Sequence, residues 1–138
     1  MDEGPLIPIA ISASEEYIKE GSRLGAEFPP PVEIDALVDT GSNFTMVSHD
    51  VVERCKLRAT GFQINVASLG RLDPLHEHAA WIRFPNTGLT DFREIPVAAC
   101  DILQVRKRPY KCIIGRDILR NWLLTYDGNG IVSIQGWR

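Results

Sequence analysis

Three observations in the sequence predict a mostly β domain, closed or sandwich-like. Short apolar, β-branched runs recur along the chain, among them LIPIAISA, VEIDALV and KCIIG. Turn-forming residues punctuate them, with Pro29-Pro30-Pro31, Gly70 with Asp73-Pro74, and Asp127-Gly128-Asn129-Gly130 as the clearest cases. Only two stretches, MVSHDVVERCKL and RDILRNW, carry the pattern of a helix, and both are short.

The chain has 138 residues, 44% hydrophobic and 24% charged, which suits one domain around one core and excludes a disordered or fibrous class. A net charge of −3 gives no reason to expect nucleic acid or an anionic membrane as partner. No apolar stretch approaches the ~20 residues of a membrane-spanning helix. The start, MDEGPLIPIAIS, is acidic and lacks the basic segment of a secretory signal, so a cytoplasmic location is expected. Cys55, Cys100 and Cys112 are too few and too widely spaced for a disulfide framework and read as buried thiols.

The elements follow in order. LIPIAISA (6–13) is a strand, and the charged, Gly- and Pro-containing segment 14–31 an inserted loop, because three consecutive prolines cannot join a central ladder. VEIDALV (32–38) is a strand that turns at Thr40-Gly41. Ser48 is placed to cap a short helix with Asp50 in its first turn and Val51, Val52 and Cys55 on its apolar side. GFQINVAS and HEHAAWIRF form the arms of a long hairpin bending through LGRLDPL. EIPVAACDIL (94–103) and KCIIG (111–115) are strands, RDILRNW a short helix, and LLTYDGNGIVSIQ a closing hairpin.

One residue stands out. ALV runs directly into Asp39-Thr40-Gly41-Ser42, which sets a carboxylate at the end of an apolar run, where charge is poorly solvated. Alone, Asp-Thr-Gly reads as a turn in which the acid bonds its own backbone. A second strand ends in the same way, with Ile113-Ile114 running into Gly115-Arg116-Asp117.

This pair of motifs, with a hairpin between them, resembles the retropepsin-like aspartic proteases, the single-domain, dimeric relatives of pepsin, and most resembles their bacterial branch. The resemblance spans residues 5–12 and 32–135 and implies a closed, barrel-like acid protease fold with one or two short helices in a single domain, 1–138. It implies a peptide or protein substrate, and a catalytic Asp39 paired with Asp39 of a second copy, because the chain has one Asp-Thr-Gly and no room for a second lobe. The family hydrolyses peptide bonds with a water held between two carboxylates that share one proton.

The other roles come from the same resemblance. Thr40 would bond across the two-fold axis, and Gly41 would let the loop approach the second carboxylate. Ser42 would donate to the outer oxygen of the aspartate, favouring its ionised form and an acidic optimum. The hairpin over 63–81 would be a flap closing on bound peptide, its tip near Ala67–Leu75, with Ala67, Ser68, Leu69 and Gly70 among the flap residues. Leu37 and Ile113 would line side-chain pockets, and Ile114, Gly115 and Arg116 form the structural motif behind the catalytic loop. Arg116 matches a family arginine that pairs with an acidic residue, and Asn43 stands at that position here, so the ion pair is lost or replaced by a weaker hydrogen bond. The family's termini weave an intersubunit sheet, here assigned to LIPIAI and IVSIQ.

Other candidates carry less. His76 and His78 share a strand face, but no third metal ligand is near in sequence, so no metal and no organic cofactor are expected. Ser48, His49 and Asp50 are consecutive and cannot adopt triad geometry. Arg106-Lys107-Arg108 reads as a solvated loop, Trp81, Trp122 and Trp137 as core or interface residues, and Asp117 and Asp127 as helix-start and turn residues. The alternative function is a non-catalytic dimeric peptide- or protein-binding module of the same fold. A third is the protease domain of a larger protein that cleaves its own flanks.

Overall fold

The computed structural model describes residues 4–68, 71–102, 109–126 and 132–136. Its elements are β1 (Leu6–Ala13), α1 (Glu15–Arg23), β2 (Val32–Val38), β3 (Met46–Ser48), α2 (His49–Arg54), β4 (Arg58–Ser68), β5 (Arg71–Arg83), β6 (Phe92–Cys100), β7 (Cys112–Ile114), α3 (Arg116–Leu119), β8 (Trp122–Tyr126) and β9 (Val132–Gly136).

Seven strands form one sheet in the order β1-β2-β7-β3-β6-β5-β4, and β1 also pairs with β5. That last pairing closes the first six into a barrel and leaves β4 outside it, attached to β5 alone. Alternation along β1 explains the closure. Ile7, Ile9 and Ile11 point inward and are buried, while the backbone bonds β2 on one side and β5 on the other. Val47, Ile82, Val97, Ile114 and Ile118 complete the interior with no exposed surface. Each such side chain contributes about 1.5–3 kcal/mol by leaving water. Phe84 stacks edge-on against Trp122 at 4.9 Å, sealing one end of the core.

Three differences from the sequence expectation have physical causes. Segment 14–31 is not wholly a loop: α1 occupies Glu15–Arg23, so the described residues hold three helices. Ser14 caps it by accepting from the Tyr17 N–H at 3.4 Å, two glutamates fill its first turn, and Lys19 pairs with Glu15 at 2.9 Å. Those signals outweigh Gly21, and the prolines act only after the helix has ended. The hairpin strands run on through most of the stretch read as a bend, with Ser68 opposite Arg71. Pro74 is tolerated because it lies where β5 pairs with β4 alone. Within LIPIAI only Ala10 and Ile11 are paired on both sides, with β2 and β5, whereas residues 6–9 are paired with β2 alone among the described residues. Ser48 precedes α2 but does not cap it with its side chain, because its hydroxyl donates to Asp50 instead.

Candidate active site

β2 carries Asp39 to its place. Its register sets Ala36, Leu37 and Val38 beside Cys112, Ile113 and Ile114 of β7 in parallel, and the ladder continues as the Asp39 N–H donates to the Ile114 carbonyl at 3.0 Å. Ala36 and Val38 face the core, so Leu37 and Asp39, two residues apart in extended chain, share the opposite face. Leu37 is nonetheless buried, whereas Ile113 beside it and Asp39 are half-buried.

The carboxylate is held from within its own loop. Asp39 Oδ1 accepts the Gly41 N–H at 2.9 Å, and the Ser42 N–H donates to the Asp39 carbonyl at 3.2 Å. Among the described residues no protein group bonds the second carboxylate oxygen, which leaves its lone pairs available to solvent or a partner. A Cβ on Gly41 would lie 3.2 Å from Oδ1, so a larger residue would crowd this contact. Thr40 is exposed at the apex of the turn.

Ser42 departs from the expected role. Its hydroxyl donates to the Phe44 carbonyl at 2.8 Å and not to the carboxylate. The donor to Asp39 is the Gly41 amide, so nothing in this geometry links Ser42→Ala to a moved pH profile. Arg116 behaves as its neighbour predicts: its guanidinium donates to the Asn43 side-chain oxygen, a hydrogen bond in place of an ion pair.

The segment β7–α3 lies directly behind the loop. Gly115 packs so closely on Phe44 that a Cβ would sit 2.5 Å from the Phe44 oxygen and 2.9 Å from its nitrogen. The Arg116 N–H donates to the Ser42 carbonyl at 2.8 Å. Thr45, fully buried, is bonded to Asp117 through both its amide and its hydroxyl. Sequence reasoning assigned Asp117 to the helix start, where it does lie, but missed its link to Thr45. No local pattern connects residues 72 positions apart.

The hairpin of β4 and β5 projects beyond the barrel, as a flap must. Ala67 and Ser68 end β4, whereas Leu69 and Gly70 lie outside the described residues, as do Arg106-Lys107-Arg108, the 127–130 turn and Trp137. His76 and His78 lie on β5, and His78 Nδ1 is 3.3 Å from the His76 carbonyl. Cys55 and Cys112 are buried and Cys100 half-buried, all as thiols. Burial pushes Cys55 and Cys100 up to about 11 and Cys112 further.

No protein-family model and no curated protein matches the sequence. Among solved structures the chain is similar to the EIAV protease complexed with the inhibitor HBY-793, with a TM-score of 0.55 and 19% identity over 87% of this chain and 88% of that one. It also overlaps the retroviral protease-like domain of Ddi1 from Leishmania major, with a TM-score of 0.46 and 12% identity over 96% of this chain and 94% of that one, too loosely to argue from. The first likeness shows the fold, which is retropepsin-like: a closed β barrel with an acid-bearing loop and a projecting hairpin. Proteins of this fold are typically aspartic proteases.

Proposed function

We propose that this protein is an aspartic endopeptidase, most like the bacterial branch of its fold family, whose active site forms when two copies bring their Asp39 carboxylates together. The observation that carries the reading is the half-buried Asp39, bonded through one oxygen to Gly41 and presented on the face of the sheet that also bears Ile113. The solved EIAV protease, with the same fold and an inhibitor bound, supports it.

In the pair, two like charges in contact cannot both be ionised, so one proton is shared. The ionised carboxylate takes a proton from a water held between the two, and the water oxygen attacks the scissile carbonyl carbon. The protonated partner donates to the carbonyl oxygen as the tetrahedral species forms, and a proton then passes to the leaving amine. No covalent bond to the enzyme and no metal is needed. In this reading the Thr40 hydroxyls, exposed at the loop apex, would bond across the two-fold axis, and the β4–β5 hairpin would cover the substrate.

The β8–β9 hairpin supports the dimer. It is a separate two-stranded sheet whose outer face bears Leu123, Thr125, Ser133 and Gln135, all exposed, and its outer strand edges have no ladder partner among the described residues. Residues 6–9 of LIPIAI and residues 132–135 of IVSIQ, on β9, are the candidate intersubunit segments.

The test is cleavage of a peptide library with and without pepstatin, by the natural chain and by Asp39→Asn. The expected result is pepstatin-sensitive cleavage with a bell-shaped pH profile, lowered about 10²–10⁴-fold in the variant. Equal cleavage by both proteins overturns the reading. Peptide binding without turnover in either would instead identify a binding module of this fold.

A further inference from the structure

Beside the exposed Arg116–Asn43 bond, the loop that carries Asp39 is fastened at its entry, its middle and its exit, and these ties are not equivalent. At its entry the Asp39 N–H donates to the Ile114 carbonyl at 3.0 Å, and at its middle the Arg116 N–H donates to the Ser42 carbonyl at 2.8 Å. Both bonds join backbone to backbone, so any side chain permits them. The exit is different. Asp117 Oδ2 accepts the Thr45 N–H at 3.1 Å and Oδ1 accepts the Thr45 hydroxyl at 2.7 Å. The Thr45 oxygen in turn accepts the Gly115 N–H at 3.2 Å. One hydroxyl thus donates and accepts at once, at a residue with no exposed surface. Without this link a buried amide and a buried hydroxyl would lose their partner together.

We propose that Asp117 is a positioning residue for Asp39, acting through Thr45. It fixes the exit of the loop against the β7–α3 junction and so fixes the direction in which the Asp39 carboxylate points. Three neighbouring groups, Gly115, Arg116 and Asp117, then form one clamp, and its side-chain-dependent contacts with the buried loop exit, from the Asp117 carboxylate and the Gly115 N–H, all run through Thr45. The catalytic consequence rests on the protease reading of Asp39, but the clamp itself does not. Misplacing a reacting group by about 1 Å costs on the order of 10²-fold in rate, so a loosened loop should be read out in turnover.

The experiment compares Thr45→Val, which keeps the shape and removes the hydroxyl, with Thr45→Ser, which keeps the hydroxyl, and with Asp117→Asn. Two quantities are measured: kcat and KM per site titrated with pepstatin, and hydrogen exchange of the Gly41 and Ser42 amides relative to those of β1 and β6. Thr45→Val and Asp117→Asn should each lower kcat about tenfold or more with KM changed less than about threefold, and Thr45→Ser should recover most of the loss. The double variant should lose little more than the worse single one, because both break the same link. The Gly41 and Ser42 amides should exchange faster while β1 and β6 stay protected. A lowered Tm with unchanged kcat per titrated site and unchanged loop exchange overturns the proposal, since it leaves the pair a purely structural role. If the natural chain cleaves nothing, the protease reading fails, and loop exchange decides alone: faster exchange upholds the clamp and unchanged exchange overturns it. Should Thr45→Val not fold, Asp117→Asn carries the same comparison.

Discussion

At Gly115 the fold leaves no space for a methyl group, because the obstruction is the Phe44 backbone and not the tip of a movable side chain. Gly115→Ala should therefore destabilise the protein by about 1–3 kcal/mol, measured by urea unfolding, and a change below about 0.5 kcal/mol would contradict the close crossing. Asp50 gives a pH prediction at the same scale. The Ser48 hydroxyl, helped by Lys111 at 3.1 Å and opposed by partial burial, holds its carboxyl below the ordinary value. A carboxyl whose folded value is depressed stabilises above the unfolded value and loses that contribution as pH falls through the folded one. The Tm difference between the natural chain and Asp50→Asn should thus be greatest above the ordinary carboxylate range, about pH 5, and shrink steadily as pH falls below it. It should be small throughout, since the side chain is largely exposed. Equal differences at both ends would show that the contact is not electrostatic.

Helix α1 illustrates what a local segment can specify and what must hold it. Its cap, its acidic first turn and its Lys19–Glu15 pair are all written within a few residues, yet it buries no residue completely. Such a short helix is marginal alone and needs contacts with the body of the protein. Tyr17 supplies them, meeting the Phe28 ring edge-on at 5.3 Å and lying under the Arg58 guanidinium at 5.7 Å, while Glu15 reaches Arg93 at 3.1 Å. Tyr17→Ala should melt α1, seen as lost helical signal in circular dichroism, and cost about 1–2 kcal/mol. Because the barrel closes without α1, unfolding should stay cooperative, and collapse of the β signal together with the helix would refute that independence. Arg58 also begins β4, so α1 braces the root of the projecting hairpin.

For the whole molecule, the lone Asp39 makes assembly the decisive question. If the β8–β9 hairpin docks two copies, Leu123→Asp on its outer face should abolish activity at nanomolar protein and restore part of it at high concentration, with sedimentation following the same curve. Activity per chain unaffected by that change would place the interface elsewhere. Much of this architecture was legible in the chain. Ile7, Ile9 and Ile11 announce a strand by their alternation, and the apolar run into Asp39 announces an acid held at the end of one, because side-chain period and turn chemistry are local properties. The helix at 15–23 was obscured by the glycine and prolines around it, although its capping serine and glutamates were there to be read. What no local pattern contains is which segments meet. The parallel pairing of β2 with β7, the closure of β1 on β5, the passage of Gly115 beneath Phe44 and the reach of Asp117 to Thr45 each join distant stretches. The sequence by itself determined the strands and the single acid. Only the tertiary structure decided what surrounds that acid, because packing selects among pairings that local periodicity leaves equivalent.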